Sequence, residues 1–253
     1  IINWEPLTLE DRDKDEEVHK RLSYHYPYKD AVRARAKQTV TEIKRQRELK
    51  DEYSANQFIH FKTPIVKRPQ FMQKERTITS AEKGTAMHTV MQHIPFDQPL
   101  TRMKIEEQIE LLVEKELLTK DEASVVDIDA IESFLETDLA ELMYQAKTVY
   151  REVPFNLSLP ASQVYPTWAH DQDEIVLVQG VIDCLIPKED GWLMLDYKTD
   201  AIQEEISEEV TDRLLKRYET QMALYKKAVE SIWKQPVKEA YLYFFSKQLM
   251  LKV

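Results

Sequence analysis

The chain has 253 residues, 35 Lys plus Arg against 45 Asp plus Glu, a formal net charge of −10 and one cysteine, Cys184. That length suits one large domain or a domain with an attached arm, and the 43% apolar content is enough for a core, which excludes a chain disordered throughout. A lone cysteine excludes an intramolecular disulfide framework and any four-cysteine zinc or iron–sulfur site, and it fits a reducing compartment. Apolar runs such as the one beginning at Ile175 are far shorter than the ~20 residues a membrane-spanning helix needs, so no membrane association is expected. The opening Ile1-Ile2-Asn3-Trp4 has neither an initiator Met nor a basic-then-apolar leader, and the chain reads as a piece of a longer polypeptide. Its acidic balance at first argues against a nucleic-acid partner, because phosphate binding is driven by Lys and Arg.

In chain order, Asp11 to Glu17 is charged and poor in apolar residues, and Tyr24 to Tyr28 around Pro27 reads as extended or turned. A helix is expected to follow, and between Lys29 and Lys50 eight bases face three acids. Lys62 to Arg76 is basic again and kept irregular by Pro64 and Pro69. Ser80 can cap a helix containing Gly84 and His88, ending before Pro95. Met103 to Ala146 has helical periodicity, and Lys104 to Glu152 holds fourteen acids against five bases, the pattern of a solvated outer helical layer. The period then changes. Val149 to Leu157, Glu174 to Ile186 and Trp192 to Tyr197 read as strands, Glu204 to Trp233 as a long helix stopped by Pro236, and Glu239 to Phe245 and Leu249 to Val253 as two closing strands. That order indicates an α/β or α+β sandwich around a mixed sheet.

Gly180 to Thr199 reads as a hairpin with Lys188 to Gly191 as its turn. Symmetric pairing about that turn sets Asp183 opposite Asp196, with Cβ atoms about 4.5–5.5 Å apart. Two carboxylates at that range repel unless a cation sits between them. Period-two alternation brings Lys198 onto the face of Asp196 and turns Tyr197 away. Gly84, one helical turn before His88, allows a close backbone approach that aims the imidazole past a neighbouring element. Tyr218, Gln221 and Tyr225 form one stripe on the long helix, which alone is as consistent with packing as with function.

Gly84-x-x-x-His88, Gly180-Val181-Ile182-Asp183, Asp196-Tyr197-Lys198-Thr199 and Gln221-x-x-x-Tyr225 stand in order on helix, strand, strand and helix. Together they resemble the motifs of the RecB-like branch of the PD-(D/E)xK nuclease superfamily. Tyr26-Pro27-Tyr28, the stretch Val40 to Arg45 and Glu82 to His88 further resemble the AddA-type nucleases of the bacterial AddAB helicase–nuclease family, so the likeness covers most of the chain. The resemblance implies a restriction-endonuclease-like α/β (α+β) fold, a mixed central sheet flanked by helices, preceded by a basic helical arm. Residues 1–78 would be that arm, linking to a helicase part, and residues 79–253 the nuclease domain.

The same resemblance implies that His88, Asp183, Asp196 and the backbone carbonyl of Tyr197 bind a divalent metal, Mg²⁺ with Mn²⁺ as a substitute. Lys198 would position or activate the attacking water, and Gln221 and Tyr225 would steady the site or contact a phosphate, completing a catalytic set with Asp183 and Asp196. The chemistry agrees: a hard cation wants oxygen ligands with positions left for water and a phosphate oxygen. Glu152, on the preceding strand, is either a helper or an ordinary strand acid. The implied substrate is single-stranded DNA, with a helicase motor in the same parent polypeptide, a partner of the AddB type and a bacterial cytoplasmic setting. No G-x-x-x-x-G-K-[ST] loop occurs, so ATP-driven unwinding is not expected from this chain. Relatives such as AddB carry a four-cysteine iron–sulfur cluster, which Cys184 alone cannot build. Two other readings stand beside this one: a catalytically silent DNA-binding or scaffolding module, and a restriction-type nuclease with a different role. The intact charged set argues against the first, and the matching arm against the second.

Overall fold

The computed structural model describes residues 12–24, 34–54, 78–165, 168 and 174–253, with the side chains of 12–15 and 48–54 left aside. Contacts divide the chain into two compact units, residues 37–158 with 177–253, and residues 1–36 with 159–176. The smaller unit holds α1 (Arg12–Leu22) and the short α8 (Ala161–Val164). Tyr165 ties its two segments together: its hydroxyl accepts from the Arg35 N–H at 2.8 Å and donates to the Arg35 carbonyl at 2.6 Å.

In the larger unit, strand β1 (Lys37–Thr39) runs into α2 (Val40–Ser54), and α3 (Ser80–His93) follows. Then come α4 (Arg102–Glu114), α5 (Lys120–Ser124), α6 (Ile128–Leu135) and α7 (Asp138–Gln145). The second half contributes β2 (Tyr150–Pro160), β3 (Ile175–Lys188), β4 (Gly191–Lys198), α9 (Glu208–Trp233), β5 (Val237–Phe244) and β6 (Leu249–Lys252). Among the described residues the six strands form one mixed sheet, ordered β1-β3-β4-β5-β6 with β2 also on β3. The β1–β3 and β4–β5 pairs are parallel, and β3–β4 and β5–β6 antiparallel. The expected α/β sandwich around a mixed sheet is therefore the observed fold.

Local chemistry accounts for the helix starts. Thr79, not Ser80, caps α3: its hydroxyl accepts from the Glu82 N–H while the Glu82 carboxylate accepts from the Thr79 N–H, and Ser80 is the first helical residue. The same box, Thr119 with Glu122, starts α5, and Asp127, Thr137 and Ser207 cap α6, α7 and α9. The periodic block from Met103 to Ala146 is four short helices, because each of these caps restarts the chain in a new direction. Its acids face outward, with Glu106, Glu107, Glu110 and Glu114 exposed, as a solvated outer layer requires.

These helices cover one face of the sheet. Met87, Val90, Ile105, Ile131, Phe134 and Met143 pack against Cys184, Leu195, Tyr197 and Tyr243. Phe134 sits at the centre, its ring 5.3 Å from that of Tyr197 and 4.9 Å from that of Tyr243. Helix α9 covers the other face with Leu214, Tyr218, Met222 and Tyr225, an i, i+4 stripe, and Tyr218 meets the ring of Phe244. Where the sequence suggests one helix in the basic arm, Gln38 and its neighbours join the sheet first, and α2 then buries Val40 and Ile43. Residues 25–33 and 55–77, with Tyr26-Pro27-Tyr28 and the second basic stretch, lie outside the described residues.

The β3–β4 turn is as short as the sequence suggests, Lys188 facing Gly191 across Glu189 and Asp190. Gly191 has φ 154°, and a Cβ there would stand 2.3 Å from the Pro236 carbonyl oxygen. Replacing Gly191 by Ala is expected to cost about 1–3 kcal/mol, from the backbone region alone and more from the clash. Urea denaturation of Gly191→Ala checks this, and an unchanged midpoint would refute the account of the turn.

Candidate active site and metal centre

The hairpin register sets the site. Cys184 pairs with Leu195 at the end of the β3–β4 ladder, and one step beyond it stand Asp183 and Asp196. Both are buried, Asp196 to 1% exposure. The two carboxylates are held apart by different partners. Asp183 Oδ2 accepts the Tyr197 N–H at 2.7 Å and lies 3.6 Å from His88 Nδ1. Asp196 pairs with the Lys198 ammonium through Oδ2 and accepts from Gln221 Nε2 at 2.9 Å through Oδ1.

Gln221 is the junction of this network. Its carbonyl accepts from Lys198 Nζ at 3.2 Å, and its amide also donates to the Tyr225 hydroxyl at 3.1 Å. Gln221 and Tyr225 are one turn apart on α9, so a single helical face supplies both. Tyr218, one turn earlier, lies under two cations: the Lys198 ammonium is 4.4 Å and the Lys44 ammonium 3.8 Å from its ring centroid. Its hydroxyl donates to Asp200 at 2.7 Å.

His88 reaches the site because α3 comes close to the end of β4. A Cβ at Gly84 would lie 2.8 Å from Thr199 Oγ1, so this approach needs glycine, and His88 follows one turn later. A second acid joins from β2. Glu152 has φ 48°, a left-handed conformation inside a strand that costs on the order of 1–3 kcal/mol for a non-glycine residue. Its Oε1 lies 3.5 Å from His88 Nδ1. Donor atoms of His88, Glu152 and Asp183 all fall within 4.8 Å of one another, among the described residues a set that could hold a metal ion.

All the residues singled out in the sequence for chemistry thus lie together, in two linked groups: His88, Glu152 and Asp183, and Asp196, Lys198, Gln221 and Tyr225. Tyr197 bridges them through its N–H, with its ring in the core. Glu152 has a closer relation to His88 and Asp183 than the sequence could assign, since its backbone conformation, which no local motif announces, swings it inward. The donor set suits a hard divalent cation: two carboxylates and an imidazole, the last more congenial to Mn²⁺ than to Mg²⁺.

Electrostatics agree with an arrangement that lacks a positive charge. Burial, together with the nearby charge of Asp196, pushes the Asp183 pKa up to about 8. Burial pulls His88 down, but the Glu152 hydrogen bond and the charges of Asp183, Glu152 and Asp196 outweigh it and hold the imidazole above its ordinary value. Both folded-state values lie above their unfolded ones, so each group contributes stability at low pH that is lost as pH rises through the folded value. The metal-free protein is therefore expected to lose stability between about pH 4 and pH 8 from this site, and Asp183→Asn to flatten that dependence. Denaturant melts in a chelator across this range check it; a wild-type slope that the substitution leaves untouched would refute it.

Comparison with known proteins agrees with this geometry. The family model of the PD-(D/E)XK nuclease superfamily matches residues 51–251. The AddA-type chain of the ATP-dependent helicase/nuclease of Oceanobacillus iheyensis is 49% identical over 254 residues, covering 100% of this chain and 20% of that protein. The protein of the same name from Bacillus licheniformis is 46% identical over 236 residues, covering 91% of this chain and 19% of that protein. The chain spans about a fifth of the length of these relatives. With the family model covering most of its length and a metal-binding group beside a buried acid–lysine pair, the chain belongs to the PD-(D/E)XK nuclease superfamily.

Proposed function

We propose that this chain is a metal-dependent deoxyribonuclease that hydrolyses phosphodiester bonds of single-stranded DNA as the nuclease part of a helicase–nuclease in double-strand-break repair. The observation that carries it is the juxtaposition of the His88, Glu152 and Asp183 donors with the Asp196–Lys198–Gln221 network. The relatives are named as one chain of an ATP-dependent helicase/nuclease, which supports a motor in the same parent polypeptide and a further chain of the AddB type beside it.

His88, Glu152 and Asp183 would hold the cation, Mg²⁺ or Mn²⁺, with Asp196 and the Tyr197 carbonyl completing the ligands. In an extended strand the N–H and C=O of one residue point to the same neighbour, and the Tyr197 N–H is directed at Asp183, which supports that carbonyl as a donor. A bound divalent cation would lower the pKa of its water and offset charge developing on the phosphate. Lys198, anchored by Asp196 and the Gln221 carbonyl, presents an ammonium whose remaining protons can orient the attacking water or a phosphate oxygen. Gln221 and Tyr225 fix that ammonium's position from the helix side. Residues 1–78 would act as the arm toward the motor, and α2 already shows one part of it docked, with Lys44 on Tyr218.

Two measurements test this reading. The 253-residue chain is expected to cut single-stranded DNA with Mg²⁺ or Mn²⁺. Asp196→Ala and Lys198→Ala are each expected to slow cutting by at least about 100-fold with melting behaviour retained. Undiminished cutting by both variants would mean a silent module or a different centre. Glu152→Gln is expected to weaken Mn²⁺ binding by at least about tenfold in calorimetric titration. An unchanged affinity would return Glu152 to the status of an ordinary strand acid.

A further inference from the structure

Beside the metal group lies a cleft of about 490 Å³, lined among others by Thr39, Thr41, Asn156, Gln179, Val181 and Tyr225. Its size falls in the range of small-molecule sites. None of its lining residues is charged, in contrast to the site next to it. Gln179 donates from its amide to the Asn156 carbonyl, which leaves the Asn156 NH₂ and the Gln179 carbonyl as one donor and one acceptor. Such a pair matches the edge of a nucleobase.

Position adds to this. Val181 and Pro154, which also lines the cleft, are each two residues along their strands from Asp183 and Glu152, about 7 Å at the usual rise. The cleft therefore begins roughly one extended nucleotide step from the metal donors. Tyr225 is common to both places: its hydroxyl accepts from Gln221 in the Lys198 network, and its ring meets Phe155, another lining residue, at 5.6 Å. Lys44, three residues after Thr41 and so on the same side of α2, brings a positive charge near the far end without entering the cleft.

We propose that this cleft is a nucleoside subsite, taking the base and sugar of the nucleotide adjacent to the scissile phosphate of a single-stranded DNA. The proposal rests on the nuclease reading above. The strand would cross the metal donors with its phosphate on Lys198 and turn its neighbouring base into the neutral cleft, so that binding there orients the bond to be cut.

The test uses Val181→Trp, which fills the cleft, and the double substitution Asn156→Ala with Gln179→Ala, which removes its hydrogen-bonding pair at an exposed position. Two readouts are needed. The first is the ratio of kcat/KM for an oligothymidylate to that for bis(p-nitrophenyl) phosphate, a diester without nucleosides. The second is anisotropy of a labelled oligothymidylate binding in Ca²⁺, which needs no cutting. Both variants are expected to lower the ratio and weaken binding by about tenfold or more. Ratios and affinities equal to the unaltered chain's would overturn the subsite while leaving the nuclease intact. If the unaltered chain binds the oligonucleotide but cuts neither substrate, the nuclease reading fails; weakened binding by the variants would then still support the cleft, and equal binding would dispose of it as well.

Discussion

Two carboxylates facing each other across a buried hairpin are the constraint around which the rest of this structure is arranged. Asp183 and Asp196 sit one register step past Cys184 and Leu195, in strands that are otherwise apolar and covered on both faces. Like charges at that range in a low-dielectric surrounding cannot both persist without compensation. The fold answers with groups drawn from elements far apart in sequence: the imidazole of His88, the ammonium of Lys198, the amide of Gln221 and the N–H of Tyr197. A proton held on Asp183 is the metal-free solution to the same problem.

Rigidity in this region comes from what lies behind it. Tyr197 turns its ring into a cluster with Phe134 and Phe245 while its backbone faces the carboxylates, so core packing and site geometry share one residue. Helix α9 works the same way from the other side, burying Leu214, Tyr218, Met222 and Tyr225 while offering Gln221 between them. A displacement of either layer would move the ligands, since side chains packed to crystal-like density cannot shift one at a time. Glycine is used sparingly, and at Gly84 and Gly180 it permits close contact: α3 against Thr199, and the Phe155 ring against β3.

Charge is distributed to the same end. The acids of α4 to α7 face solvent and carry most of the negative balance, while bases gather on α2 beside the long helix, where Lys44 shares the Tyr218 ring with Lys198. A net charge of −10 therefore says little about whether the surface near the site can meet a phosphate.

Much of this was legible in the residues alone. Alternation along Trp192 to Lys198, the short turn ending in Gly191 and the spacing of Gln221 and Tyr225 are local patterns, and local patterns determine register, face and helix side. They were sufficient to bring Asp183, Asp196 and Lys198 together and to assign the fold class. Capping was nearly legible as well, missing by one residue at Thr79, because the reciprocal bond with Glu82 rather than the hydroxyl alone chooses the cap. What only the tertiary structure decided is non-local: that Gln38 joins the sheet beside β3, that the Tyr218 ring lies beneath two ammonium groups, and that Glu152 turns inward toward His88. The last depends on a strained backbone at φ 48°, a conformation that no side-chain pattern encodes and that only the surrounding packing can hold.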